Sequence, residues 1–99
     1  MEEKYFDHEK LKVHQLALEF NKYAHKICVK LDSRSDIKNQ LDRASNSIVL
    51  NIAEGNGKHS KKDKGRYFDI SIGSLFECAG CLDILMARNI LMNEELKTG

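Results

Sequence analysis

The chain has 99 residues, of which 31% are charged, and its 16 basic and 15 acidic side chains leave a formal net charge of +1. This length predicts a single helical domain over residues 1–99 with a modest core. The mean hydropathy is negative and no long uninterrupted apolar run occurs, so we expect no membrane span. The polar, acidic start, MEEKYFDHEK, predicts no secretory signal, and we therefore expect a soluble cytoplasmic protein.

Apolar residues recur at steps of three and four along most of the chain, which predicts helices rather than strands. The three predicted helices cover residues 8–30, 36–54 and 61–91, and a short fourth helix begins near Asn93. Helices joined by short connections pack as antiparallel neighbours. The predicted fold is therefore an all-α, antiparallel up-down bundle of three long helices plus the start of a fourth.

Polar residues and glycines set the predicted helix ends. Ser33 begins a Ser-x-x-Asp capping signal before the second helix, with Ser35 as a competing cap. Ser60 begins the same signal before the third helix. Gly55 follows the second helix, at the position where a glycine in the left-handed conformation often ends a helix.

The third predicted helix is apolar on more than one face. One stripe comprises Phe68, Ile72, Leu75, Ala79, Leu82 and Met86, and a second comprises Tyr67, Ser71, Ser74, Cys78, Cys81 and Leu85. At ~1.5 Å per residue this helix outruns the second by roughly 15 Å, leaving residues 79–86 as an apolar overhang. Helices apolar around much of their circumference are buried, so we expect another copy to cover the overhang in a closed homo-oligomer.

Two further patterns are consistent with contact between copies. Gly73 and Gly80 lie seven residues apart on one face of the third helix. Either they allow close approach by another helix, or the helix tolerates two glycines that have no such role. A polar stripe on the second helix predicts either solvent exposure or a hydrogen-bonding seam with the Gly55 turn or another protomer. The predicted interface comprises Asn51, Glu54, Gly73, Gly80, Leu82, Leu85 and Met86.

Positive charge is concentrated in one segment. Residues 58–66 contain five basic side chains and one acid, so they carry +4 and the rest of the chain carries −3. The segment lies at the start of the third helix, where free backbone N–H groups also attract anions. Either it is a solvated loop or it binds RNA or DNA phosphates through Lys58, Lys61, Lys62, Lys64 and Arg66.

The cysteines are more typical of structural packing residues than of a redox or metal site. Cys78 and Cys81 form a CxxC motif in the middle of a helix, whereas a redox motif uses the helix N-terminus to lower the thiol pKa. With His25 and Cys28 of the first helix they offer a zinc-site alternative, but small buried core residues are the favoured interpretation. No catalytic arrangement is evident, so we expect a protein that is not an enzyme and has no cofactor or metal.

The second and third helices carry a resemblance to a known family. The residues are Asn39-Gln40-Leu41-Asp42-Arg43-Ala44, Ser47-Ile48, Asn51-Ile52-Ala53-Glu54-Gly55, Ser60-Lys61-Lys62, Arg66-Tyr67-Phe68, Ile72-Gly73-Ser74-Leu75 and Glu77. With Leu11-Lys12-Val13 and Ala17, this pattern resembles the four-helix bundle proteins encoded in intervening sequences of bacterial 23S rRNA genes. It spans about residues 6–86. His14 stands where that family often has tryptophan.

The resemblance implies an up-down bundle that assembles as a ring, typically a pentamer. Relatives include the accessory protein of diversity-generating retroelements, a basic barrel that binds nucleic acid and a reverse transcriptase. The family has a full fourth helix, of which this chain has only the start, and no activity is established family-wide. We expect a bacterial, non-enzymatic homo-oligomer that binds nucleic acid, or alternatively a protein-interaction scaffold that does not.

Overall fold

The structure, a computed structural model, describes residues 8–88. Three α-helices make up this part of the chain, α1 His8–Cys28, α2 Asp36–Asn56 and α3 Lys61–Ala87, without a strand. The all-helical class and the three helices are thus confirmed, with α1 ending earlier and α2 later than predicted. The third helix was predicted to reach residue 91, but α3 ends at Ala87, and the predicted start of the fourth helix lies outside the described residues.

Serines begin both α2 and α3. Ser35, rather than Ser33, caps α2, and its Oγ accepts a hydrogen bond from the Lys38 N–H at 3.2 Å. Ser60 caps α3 as predicted, accepting from the Asp63 N–H at 3.1 Å. The prediction that α2 ends before Gly55 is wrong: the helix continues to Asn56 and is capped by the next residue in a right-handed conformation.

Gly55 is a packing position rather than a helix terminator. It is buried, and a Cβ built on it lies 2.6 Å from Cε1 of Phe68. The Phe68 ring of α3 therefore lies directly against the backbone of α2, close to the turn that joins the two helices. A side chain at this position would force the Phe68 ring to move.

We expect Gly55→Ala to lower the free energy of unfolding by about 1 kcal/mol, because an overpacking cost of ~1–3 kcal/mol exceeds the gain in helix propensity. Gly65→Ala is the matched control, since nothing lies within 4 Å of a Cβ built there. That change is expected to stabilise the protein by up to about 1 kcal/mol. Urea unfolding followed by circular dichroism measures both, and stabilisation by both substitutions contradicts the packing role of Gly55.

The core is centred on α2, which contacts both α1 and α3, whereas α1 and α3 hardly touch each other. The buried face of α2 comprises Ile37, Leu41, Ala44, Ser45, Ile48, Ile52 and Gly55. On the α1 side, Asn21 Nδ2 donates to Asn46 Oδ1 at 2.9 Å and the Cys28 thiol donates to the Lys38 carbonyl at 3.7 Å. The middle helix therefore holds the other two in place.

Mostly small residues form the buried face of α3. The buried residues of α3 are Ser71, Ser74, Cys78, Cys81 and Leu85. The Ser71 hydroxyl donates to the Ile48 carbonyl at 3.1 Å, and the Ser74 hydroxyl lies 2.8 Å from that of Ser47. Of the two stripes predicted on this helix, the one containing the serines and cysteines is thus the core-facing one.

The larger apolar residues of α3 lie mostly outside the core. Ile72 and Leu75, both in the other predicted stripe, are 51% and 48% exposed, and Phe76 is 74% exposed. Burying a large apolar side chain typically stabilises a protein by ~1.5–3 kcal/mol. Residues 8–88 of one chain do not cover these side chains, so this stabilisation is not obtained within the protomer. Apart from Leu85, the helix presents small residues inward, and several of its large residues face outward.

By length and composition, α3 is also apolar enough to cross a membrane, with a mean hydropathy of 1.6 over 18 residues. The expectation that no segment spans a membrane stays a prediction. A single such helix is weak support for a span, because core helices of soluble proteins meet the same criterion. Asp69, Glu77 and Asp83 also interrupt its surface, and carboxylates are costly inside a bilayer.

Candidate nucleic-acid interface and neighbouring surfaces

The five predicted basic residues lie together where α2 ends and α3 begins. Lys58 lies in the connecting turn, and the other four occupy the first two turns of α3. Lys61 and Lys62 are exposed, and neither forms an ion pair within residues 8–88. These two ammonium groups are therefore available to an external anion.

Two other cations converge on one aromatic ring. The Lys58 Nζ lies 5.2 Å and the Arg66 Cζ 5.6 Å from the centroid of Tyr67. Each also has an acidic partner, Glu54 at 3.3 Å for Lys58 and Asp63 at 3.6 Å for Arg66. These pairs are largely exposed, so each contributes less than ~1 kcal/mol. An incoming phosphate can therefore replace either carboxylate.

The ring of Tyr67 was missed as part of this site, because the sequence placed it only on an apolar stripe of α3. No spacing rule shows that Lys58, nine positions earlier, folds back beside it. Glu54 was assigned to an interface between copies, but it is the counter-ion of Lys58. With these partners, residues 54–66 contain five basic and two acidic side chains, a net charge of +3.

A shallow hollow adjoins Lys58 along the last turns of α2. Its volume is about 500 Å³, and its lining residues are Leu50, Ala53, Glu54, Gly57 and Lys58. Leu50 is strongly exposed and presents an apolar surface beside the cations. The end of α2 thus offers both a charge for phosphate and a surface against which a base or sugar can pack.

The three cysteines are free and buried. Burial raises the pKa of Cys78 to about 11, with smaller contributions from nearby Cys81 and Glu77, and it also raises the pKa of Cys28 and Cys81. These thiols therefore stay protonated at neutral pH and are poor nucleophiles.

The zinc alternative considered from the sequence also required His25 to join the cysteines. His25 is exposed on α1, whereas Cys78 and Cys81 are core residues of α3. Across residues 8–88, no group of three or more histidine, cysteine, aspartate and glutamate side chains is arranged to hold a metal ion. The described residues thus do not form that site, and the cysteines act as small packing groups beside the serines of α3.

The polar stripe of α2 forms hydrogen bonds within the protomer. Asn51 Nδ2 donates to the Ser47 carbonyl at 2.8 Å and lies 3.0 Å from its Oγ. Ser47 in turn meets Ser74 of α3. Asn51 therefore takes part in hydrogen bonds, but these connect it through Ser47 to the neighbouring helix and not to the glycine turn named among the predicted partners.

The remaining predicted interface residues have different environments. Leu85 is 1% exposed, so it belongs to the core of the protomer and is unavailable to another copy. Leu82 and Met86 are partly buried against that core. Gly73 and Gly80 are exposed, and a Cβ built on either meets nothing within 4 Å, so no described residue packs closely against them.

A groove runs between the N-terminal half of α1 and the N-terminal half of α3, above the end of α2. Its volume is about 350 Å³, and it is lined by Glu9, Lys10, Val13, Ile52, Asn56, Phe68, Ser71 and Ile72. The groove arises because α1 and α3 both pack on α2 without closing on each other.

These features define a small all-helical protein with a basic helix start and an apolar outer face. A family model described as 23S rRNA-intervening sequence protein matches residues 9–98. Because the match covers most of the chain, the protein belongs to this family, as the resemblance indicated. No match was found among curated proteins or among solved structures.

Proposed function

We propose that this protein is a non-enzymatic, self-associating helical bundle that binds nucleic acid at the start of α3. The observation that carries the proposal is the grouping of five cations at this point, with exposed Lys61 and Lys62 beside the pair held at Tyr67. Lysine and arginine contacts to phosphate give affinity without reading base sequence. Membership of the family is consistent with such a role.

In the proposed binding mode, Lys61 and Lys62 contact phosphates first, at the positive end of the α3 dipole. Lys58 and Arg66 then exchange their exposed carboxylate partners for phosphate oxygens while remaining beside Tyr67. Lys64 adds charge on the same two turns. Each copy in an assembly repeats this site, so self-association increases the overall affinity for a long strand.

We also propose that the helices form an antiparallel up-down bundle whose copies associate through the outer side of α3. Its support is the order of contacts: Asn21 meets Asn46 whereas the later Cys28 meets the earlier Lys38. On the other side, Gly55 meets Phe68 and the earlier Ile48 meets the later Ser71. The exposed apolar residues of α3 supply the surface for association.

The test is a fluorescence-anisotropy titration of a labelled single-stranded RNA, and of DNA of the same sequence, at a series of salt concentrations. We expect binding to both at low salt that weakens steeply as salt rises. If neither RNA nor DNA binds at low salt, the proposed function is wrong.

A second candidate is a protein-interaction scaffold that binds no nucleic acid. It is favoured by the exposure of Ile72, Leu75 and Phe76 on α3, since exposed apolar groups often mark interaction sites. The same titration separates the two candidates. A protein that self-associates but binds neither RNA nor DNA at low salt supports the scaffold.

A further inference from the structure

A second hollow lies beside the one at Lys58, and the two share Leu50. The second hollow lies where α1 packs on α2 and has a volume of about 190 Å³. Its lining residues are Leu18, Asn21, Asn46, Val49 and Leu50. Leu50 also lines the hollow of about 500 Å³ at the end of α2. We call the lining residues of the two hollows the α2 strip. This strip runs from the middle of α2 to the turn before α3, where the proposed phosphate contacts begin.

The α2 strip is uncharged except at one end. None of the five residues that line the second hollow is ionisable. The charged residues of the first hollow are Glu54 and Lys58, which pair with each other at 3.3 Å. The cations of α3 follow directly in the chain. A ligand that contacts both regions must therefore carry anionic groups in one part and neutral groups in another.

The uncharged part of the strip exposes apolar side chains that residues 8–88 do not cover. Leu50 is 66% exposed and Leu18 is 40% exposed, and Ala53 between Leu50 and the turn is also exposed. Removing such apolar surface from water is favourable. A nucleic-acid base has flat apolar faces, and its phosphate is anionic, so a nucleotide combines the two properties that the strip and the neighbouring cations require.

An amide pair lies at the end of the strip away from the cations. Asn21 Nδ2 donates to Asn46 Oδ1 at 2.9 Å and lies 3.4 Å from Ser45 Oγ. Asn46 is exposed, and within residues 8–88 its own amide N–H groups have no hydrogen-bond partner. Amide groups match the donors and acceptors on the edges of bases. The strip thus offers hydrogen bonds for a base edge as well as apolar surface for a base face.

We propose that the α2 strip binds unpaired bases of a strand whose phosphates contact the cations at the start of α3, so that the protein prefers single strands to duplexes. This inference rests on the proposed function and names its substrate class. Bases within a duplex are paired and stacked, so a duplex offers its phosphates but not its base faces. From Asn46 to Gly57 the strip is ~17 Å long, which is about five nucleotides at the ~3.4 Å rise of a stacked strand.

The test compares a short labelled single-stranded RNA with the same strand annealed to its complement, by fluorescence anisotropy at low salt and at ~200 mM salt. At low salt both probes bind, because both present phosphates. Salt weakens the phosphate contacts far more than the packing of bases. At the higher salt the single strand is therefore expected to bind at least ~tenfold more tightly than the duplex.

Two outcomes of this comparison are decisive in different ways. If the duplex binds as tightly as the single strand, or more tightly, at the higher salt, the preference for unpaired bases is wrong while the proposed function stands. If neither probe binds even at low salt, both the proposed function and this inference are wrong.

Leu50→Ala tests the apolar part of the strip. The substitution removes no charge, so single-strand affinity is expected to fall roughly threefold while the salt slope and the affinity for the duplex stay the same. Val29→Ala is the matched control, because Val29 is exposed to a similar extent, 62%, and lies just past the C-terminal end of α1. It is expected to leave both affinities unchanged. Unchanged single-strand affinity of Leu50→Ala contradicts base packing on the strip.

Asn46→Asp tests the amide pair. The carboxylate keeps the acceptor for Asn21 but removes the amide donor and adds a charge, so single-strand affinity is expected to fall. Asn39→Asp adds the same charge at an exposed position near the start of α2, and a much smaller loss is expected there. Circular dichroism confirms that every variant is helical. Equal losses from the two substitutions mean that only overall charge matters, and they contradict a contact between Asn46 and a base.

Discussion

Replacing Lys58, Lys61, Lys62, Lys64 and Arg66 together with alanine is expected to remove almost all salt-dependent binding of nucleic acid. For a single strand, each phosphate contact adds ~0.7 to the slope of log affinity against log salt. Five contacts therefore predict that the parent loses affinity roughly a hundredfold between about 50 and 200 mM salt. The five-residue variant is expected to bind weakly and with almost no salt dependence.

Two matched double variants show which cations matter. Lys61→Ala with Lys62→Ala removes two exposed charges of α3, and Lys22→Ala with Lys26→Ala removes two exposed charges of α1. The first pair is expected to reduce the salt slope by ~1.4 and the second to leave it unchanged. Equal effects of the two pairs contradict a localised site, because only overall charge then determines binding.

The largest expected effect on stability comes from Leu41→Ala, which removes a side chain that is 0% exposed in the N-terminal half of α2. Such truncations leave a cavity and typically cost ~2.7–5 kcal/mol. Because α2 contacts both α1 and α3, the surrounding structure can relax only a little into the cavity. The loss is a large fraction of the ~5–15 kcal/mol that stabilises an ordinary domain.

Urea unfolding measures this loss, with Leu50→Ala as the control of identical chemistry. Leu50 lies on the same helix but is 66% exposed, so its truncation is expected to cost under ~0.5 kcal/mol, as at most surface positions. Comparable losses from the two substitutions contradict the assignment of the core to the Leu41 face of α2.

The sequence predicted the helices well because their signals are local. Ser60 needs only the Asp63 N–H three residues away to begin α3, and the apolar stripe of α2 marks its buried face. Gly55 was misread because its role depends on a distant ring: the rule for helix ends covers the glycine but not Phe68 packed against it. The choice between the two stripes of α3 depends in the same way on partners in α2, such as the Ile48 carbonyl that accepts from Ser71.

The candidate site was located from charge density alone, which is a property of the sequence. The arrangement of side chains within the site was not predicted. Lys58 and Arg66 converge on Tyr67 only when the turn between α2 and α3 has formed. The placement of Leu85 at an interface failed for a related reason. Two adjacent apolar stripes on one helix do not reveal which of them the protomer itself covers, and Leu85 belongs to the covered one.

The central claim is that the working unit is an assembly in which other copies cover the outer side of α3. Its most direct test is the mass of the full chain, measured by sedimentation equilibrium at micromolar concentration without nucleic acid. We expect a mass that is a multiple of the 11.3 kDa of one chain, increasing with concentration toward a fixed limit. A particle that keeps the mass of a single chain across the whole range contradicts the claim.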